Sequence, residues 1–176
     1  MSKNLLIVGA GMYSIIAYEI AVEMGCFEKI DFIDDMRKVS LNGMNVVGTT
    51  DDLNKLEACY SHIAVAIGNT EVRLSLLNKI KEKTGLVIAS LISPRAYVSP
   101  SAKITNGCII EPMSVVHTNC EIAFGCIISA GAVVNHSAVC CDGVHVDCNA
   151  TVCGYCFVPS RTKVASGEVY NTTRSV

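Results

Sequence analysis

The sequence predicts a chain in two parts, a small parallel α/β sheet followed by an all-β parallel β-helix. Two periodicities carry that reading. In the first half short aliphatic runs alternate with helix-length segments, as strands joined by crossover helices do. In the second half an aliphatic residue or cysteine returns at every sixth position from Val98 to Val164. The composition agrees with both. Of 176 residues, 51% are hydrophobic and 17% charged, which suits a buried core and excludes a disordered chain.

Leu5–Val8 reads as a buried strand, Gly9-Ala10-Gly11 as a turn, and residues 14–25 as a helix closed by Gly25. Lys29–Ile33 is the second strand and ends at Asp34-Asp35. A helix or turn near Asp51–Tyr60 leads to a third strand, His62–Ile67, which ends at Gly68-Asn69. A helix over residues 70–84 begins at Thr70, with Glu71 behind the cap, and Val87–Ile92 is the fourth strand. Ser93 and Pro94 mark a boundary, dividing the chain into domains 1–92 and 93–176 with no flexible linker between them.

The hexads begin with Tyr97-Val98-Ser99-Pro100. Stepping by six from Val98 gives Ile104, Ile110, Val116, Ile122, Ile128, Val134, Cys140, Val146, Val152, Val158 and Val164. Two positions earlier the residue is small in almost every unit; three positions later Gly or Asn recurs, as at Gly107, Asn119 and Gly125. Each unit is then one short strand and a corner, and three units close a coil. Cys108, Cys120, Cys126, Cys140 and Cys156 fall on inward positions and read as packing residues. Cys153-Gly154-Tyr155-Cys156 is a single pair with no second pair at zinc spacing, so no metal is expected.

A net charge of −2 leaves no footprint for nucleic acid. The apolar run at Leu5–Val8 is far too short for a signal segment or membrane span, so the protein is expected in the cytoplasm with its ten cysteines reduced. In the stretch AVVNHSAVCCDGVHV, residues 132–146, the apolar pattern breaks at Asn135, His136, Ser137, Asp142 and His145. His136 lies two positions after an inward residue, at a corner where its side chain can point outward. An imidazole titrating near neutrality suits a general base. His145 lies nine residues further, half a coil away, and therefore on a different face. Asp142 reads as shaping the corner before Gly143. In the first half, Asp34-Asp35 following a glycine turn would also suit the ribose of NAD.

LLIVGAGMYS, DFIDD, AVAIGNTEVR, SPRAYVSPSAKI and AVVNHSAVCCDGVHV, spread over residues 5–158, resemble the NeuD-like sialic-acid O-acetyltransferases and the PglD-like sugar acetyltransferases. The resemblance implies a Rossmann-like nucleotide-sugar-binding domain followed by a left-handed parallel β-helix. It also implies a homotrimer that uses acetyl-CoA and takes a UDP-linked amino sugar as acceptor. In catalysis it implies His136 as base, with Asn135 and Ser137 where relatives place an acidic neighbour. Gly154, eighteen residues and one coil after His136, matches a glycine whose N–H stabilises the oxyanion. His145 and Ser166 match positions that contact acetyl-CoA. Gly11, Met12, Tyr13, Asp34 and Asp35 match the reader of the UDP moiety, and Gly68 ends the third strand on the same edge.

Three departures accompany these matches. Tyr13 stands where relatives commonly have histidine, Ser14 replaces the third fingerprint glycine, and only a short tail follows Ser166. If His136 and His145 serve one site, they meet across a subunit boundary. Ile109, Val115, Ile127 and Val133 at outward slots form an apolar strip expected to hold a trimer together. The expected activity is N-acetylation of a nucleotide-linked amino sugar. Sugar O-acetylation, on sialate or a similar sugar, and a non-catalytic nucleotide-sugar-binding homologue are the alternatives.

Overall fold

β1 (Asn4–Val8), β2 (Lys29–Ile33), β3 (Val46–Gly48), β4 (His62–Val65) and β5 (Val87–Ile88) make one parallel sheet, ordered β3-β2-β1-β4-β5. The coordinates are a computed structural model that describes residues 3–39, 43 and 45–172. The central strand is β1, whose Leu5, Leu6 and Ile7 are wholly buried, as an aliphatic run covered on both faces requires. β3 is a three-residue edge strand, too short to show a period, and the sequence did not reveal it.

Helix α1 (Met12–Met24) ends at Gly25, whose φ of 63° is the left-handed conformation that glycine adopts freely. A 3₁₀ turn, Thr50–Asp52, runs into the short α2 (Leu53–Leu56). Helix α3 (Thr70–Lys83) is capped one residue earlier than expected: Asn69, not Thr70, accepts a hydrogen bond from the Val72 N–H at 3.1 Å. The expected strand over Val87–Ile92 is two. Val87–Ile88 completes the α/β sheet and Leu91–Ile92 opens the β-helix, so the chain passes between sheets at Ala89–Ser90, ahead of Ser93-Pro94.

The second half is a left-handed β-helix with three parallel faces. The first face stacks Leu91–Ile92, Ile109–Ile110, Ile127–Ile128, His145–Val146 and Lys163–Val164. The second stacks Tyr97–Val98, Val115–Val116, Val133–Val134, Thr151–Val152 and Val169–Tyr170. The third stacks Lys103–Ile104, Glu121–Ile122, Val139–Cys140 and Phe157–Val158. The inward residues and the small residues before them form one buried column that includes Cys108, Cys120, Cys126, Cys140 and Cys156. The Cys120 and Cys126 thiols also donate to the carbonyls of Asn135 and Cys141, at 3.0 and 3.1 Å, which an alanine could not do. From Gly107 to Gly167 every turn slot has φ between 57° and 78°. Six of these residues are not glycine: Met113, Asn119, Ser137, Asn149, Tyr155 and Arg161.

The two halves share a core. Leu5, Ile7, Ala17, Ile20 and Ala21 pack directly on Leu91, Ile109 and Ile127 of the first face. Half of the expected apolar strip is therefore covered within the chain, because Ile109 and Ile127 are buried, while Val115 and Val133 on the second face stay half-buried. Helix α3 lies along the corner between the third and first faces. A Cβ on Gly125 or Gly143 would come within 2.7 or 2.5 Å of Leu77 or Leu74, so these turns need glycine for close approach as well as for φ.

Arg73 of α3 locks this contact. It is wholly buried and donates to the carbonyls of Gly125 (2.8 Å), Gly143 (2.9 Å), Ile67 (2.9 Å) and Gly68 (2.9 Å), and to Thr70 Oγ1 (3.3 Å). One guanidinium fork thus ties two successive coils to the end of β4.

Candidate active site

The corner between the second and third faces carries His136. The imidazole is exposed, and its Nδ1–Cε1–Nε2 side lies nearest Gly154, one coil away. A Cβ on Gly154 would come within 2.9 Å of Cε1 and 3.0 Å of Nε2, so only glycine leaves the ring in place. The Gly154 N–H donates to no group among the described residues and is open to a ligand oxygen. Tyr155 packs its ring against the imidazole, with centroids 5.0 Å apart and planes at 84°.

Among the described residues, the two neighbours expected to orient His136 make no hydrogen bond to its ring. Asn135 Oδ1 is turned back to accept from the His136 backbone N–H at 2.8 Å. Ser137 occupies the left-handed turn slot (φ 60°) and bonds through its backbone to Thr118. Neither imidazole nitrogen is hydrogen-bonded among the described residues. Asp142 shapes its corner as expected, accepting from the Phe124 N–H at 3.1 Å.

His145 lies on a different face from His136, as the half-coil spacing predicts, and is not solvated. It opens a strand of the first face, only 7% exposed. Nε2 lies 3.1 Å from Ser129 Oγ and 3.9 Å from Asp147, while Nδ1 is buried without a hydrogen-bond partner among the described residues. Along the same edge Tyr13 donates to Glu111 Oε1 (3.0 Å), and Glu111 Oε2 accepts from the Ala130 N–H (2.9 Å). Burial, with the Glu111 carboxylate beside it, holds the Tyr13 phenol well above its ordinary pKa, so it remains a donor. Ser166 is exposed at the corner between the first and second faces. Gly154 therefore sits one corner away from Ser166, and the three expected acetyl-CoA residues do not meet within one chain.

Burial lowers the His145 imidazole from 6.5 to about 4; Arg73 and Lys163 push the same way, and Asp147 opposes them. The folded state thus favours the neutral ring. Its contribution to stability is present above the unfolded value of 6.5 and is lost as pH falls through about 4. The thermal midpoint should drop across that window, and His145→Gln should flatten the drop. Equal pH profiles for the two proteins, followed by calorimetry, would assign the acid sensitivity to other groups.

A third region lies at the carboxyl ends of β1, β2 and β4. A cleft of about 630 Å³ is lined by Gly9, Asp34, Asp35, Thr50, Glu71 and Val72 among others. Gly9 takes φ 108° with Ala66 O 3.0 Å from where a Cβ would be. A Cβ built on Gly11 or Gly68 would meet open space, while their carbonyls are taken by Ser14 and Arg73. Met12 is 70% exposed beside Gly11. Ser14, in place of a third glycine, is buried and bonds to Gly11 O.

The acidic pair is less free than the sequence suggested. Asp34 accepts from the N–H groups of Ala10, Met36 and Arg37, each at 2.8 Å, and so fixes the loops around the cleft. Asp35 accepts from the N–H and hydroxyl of Thr50 at 2.8 and 3.1 Å. Each carboxylate retains lone pairs toward the cleft, but both are first of all loop organisers.

Sequence reasoning missed Glu111, Ser129, Arg73 and Tyr155. The first three gain meaning only from partners far along the chain. Tyr155 carried a local signal, an aromatic residue in a slot where most coils use Gly or Asn.

Residues 4–80 match the PglD N-terminal domain family. The acetyltransferase domain of PglB from Neisseria gonorrhoeae FA1090, solved in complex with acetyl coenzyme A, is 30% identical with a TM-score of 0.92; the match covers 98% of this chain and 83% of that one. PerB from Caulobacter crescentus, solved with CoA and GDP-perosamine, is 22% identical with a TM-score of 0.79, covering 97% and 89%. WeeI from Acinetobacter baumannii AYE is 17% identical with a TM-score of 0.57, covering 96% and 88%. The last two bear on the fold alone. No curated protein sequence matches the chain.

Proposed function

Because the chain belongs to the NeuD- and PglD-like family of sugar acetyltransferases, and so is an acyltransferase, we propose that it moves the acetyl group of acetyl-CoA to the amine of a nucleotide-linked, UDP-type amino sugar. The observation that carries this reading is the pairing of His136 with Gly154. Among the described residues both imidazole nitrogens are unengaged, the ring lies over the Cβ-less side of Gly154, and the N–H of that glycine has no acceptor. Acetyl-CoA bound by the 30% identical PglB domain supports the donor.

In the proposed step the sugar amine attacks the thioester carbonyl, and a C–N bond forms as the carbonyl π pair moves to oxygen. The Gly154 N–H stabilises that oxyanion. His136 takes the amine proton; the intermediate collapses with loss of the C–S bond, and the proton passes to the CoA thiolate. A neutral amine is a nucleophile without prior deprotonation, whereas a hydroxyl needs a base strengthened by an acidic partner. Asn135 and Ser137 leave the imidazole without one, which favours N- over O-acetylation.

The α/β domain packs on the first face, while His136 projects from the opposite corner. A nucleotide sugar in the cleft cannot reach His136 of its own chain. We therefore assign the working form to a homotrimer, in which His136 and Gly154 of one subunit face Tyr13, His145 and Ser166 of the next. The unpartnered His145 Nδ1 suits a contact with acetyl-CoA there. Asp34, Asp35, Gly11, Met12 and Gly68 are assigned to the nucleotide. No helix among the described residues is long and apolar enough to cross a membrane. We place the reaction in the cytoplasm, with acetyl-CoA as co-substrate.

Incubation with acetyl-CoA and a panel of UDP-, GDP- and dTDP-amino sugars, each paired with its hydroxyl analogue, tests this through free-thiol release. Turnover is expected on a UDP-amino sugar and not on its hydroxyl analogue. Preference for the hydroxyl would reassign the enzyme to O-acetylation. Silence across the panel and on free sialic acid would favour a nucleotide-sugar-binding protein without catalysis.

A further inference from the structure

We infer that Tyr155 is a positioning residue for the reaction proposed above, its ring holding the His136 imidazole in place of a hydrogen-bonded partner. The inference rests on that reading of His136. Tyr155 occupies a turn slot at φ 61°, a conformation unfavourable for a side chain with a Cβ. Most other slots hold Gly, or Asn at 119 and 149, the residues that tolerate it; Ser137, Met113 and Arg161 are the other exceptions, and Tyr155 is the one aromatic among them. Arg161, in another such slot, has a partner in Glu71 at 3.2 Å. Tyr155 has no side-chain hydrogen bond among the described residues, and at 67% exposure it gains little from burial.

Its ring contact is with His136, edge to face, at a centroid separation within the range where aromatic pairs attract. With Asn135 turned to the backbone, Gly154 below the ring and Tyr155 beside it are what limit the imidazole's swing. A contact through ring faces and edges leaves both nitrogens free to exchange protons with substrate and thiolate. A carboxylate orienter would occupy one of them.

The test compares Tyr155→Phe, which keeps the ring, with Tyr155→Asn, which the coil accepts elsewhere. Tyr155→Asn should melt no lower than wild type, yet lose about tenfold in kcat, the equivalent of about 1.4 kcal/mol, with KM for acetyl-CoA within about twofold. Tyr155→Phe should keep wild-type kcat within about twofold. Proton NMR of the His136 ring, assigned by its loss in His136→Ala, should show a ring-current shift in wild type and Tyr155→Phe that disappears in Tyr155→Asn. Wild-type kcat in Tyr155→Asn would overturn the inference and leave acyl transfer standing. Equal losses in both variants would move the role to the phenol hydroxyl and overturn the ring argument. Wild-type protein silent on every acceptor would remove the proposed function itself, and the NMR shift would still decide whether the ring holds the imidazole.

Discussion

Turnover should fall by roughly 10²–10⁴-fold in His136→Ala, the usual worth of a positioned general base, with little change in KM for acetyl-CoA. The imidazole acts on the acceptor proton and does not anchor the donor. His145→Ala should do the reverse, raising KM for acetyl-CoA more than it lowers kcat. The topology sharpens the test, because the two histidines lie on opposite sides of one β-helix. At limiting acetyl-CoA, where both variants are impaired, trimers mixed from the two should regain part of the activity, since some boundaries pair an intact His136 with an intact His145. Mixed trimers no more active than their parents would show that the histidines do not meet across subunits.

Arg73→Ala should destabilise the fold by about 3–5 kcal/mol, a loss of roughly 10 °C in thermal midpoint for a chain of this size. The substitution removes a wholly buried side chain and strands the carbonyls of Gly125, Gly143, Ile67 and Gly68 inside the interface. Arg73→Lys should recover a minor share, because one ammonium cannot reach both coils and the end of β4. Since Gly68 borders the nucleotide region, UDP affinity should fall along with stability. A midpoint within about 2 °C of wild type would mean that water replaces the fork at these carbonyls.

Much of the fold was legible because its signals are local. An inward slot such as Ile128 or Cys140 has its role set by neighbours six and eighteen residues away, and those contacts repeat in every coil. The same eighteen-residue rule stacks Gly154 on His136. α1 and β1 were legible for a related reason: the apolar run of Leu5–Val8 and the left-handed stop at Gly25 are properties of the segment itself. The break between Val87–Ile88 and Leu91–Ile92 was hidden, because both strands are aliphatic and only their hydrogen-bond partners differ.

The site was half legible. Residue types and coil spacing brought out His136, Gly154 and the glycine turn at Gly9–Gly11. They could not show that Asn135 turns to the backbone, since an amide facing a ring and an amide facing its own main chain have the same sequence. Nor could they show that Asp34 is occupied by three N–H groups from two loops.

By itself, then, the sequence determined the β-helix, its inward cysteines, the left-handed corners and the parallel sheet, all of which follow from periodic contacts along one stretch of chain. Only the tertiary structure decided that Ile109 and Ile127 lie under the first domain, that Tyr13 binds Glu111, and that Arg73 joins two coils to β4. Those outcomes depend on partners 52 to 98 residues apart, or on which of three equivalent faces the α/β sheet covers. The hexad is the same on all three faces, so its period carries no mark of the covered one, which is the face that shares a core with Ala17, Ile20 and Ala21 of α1.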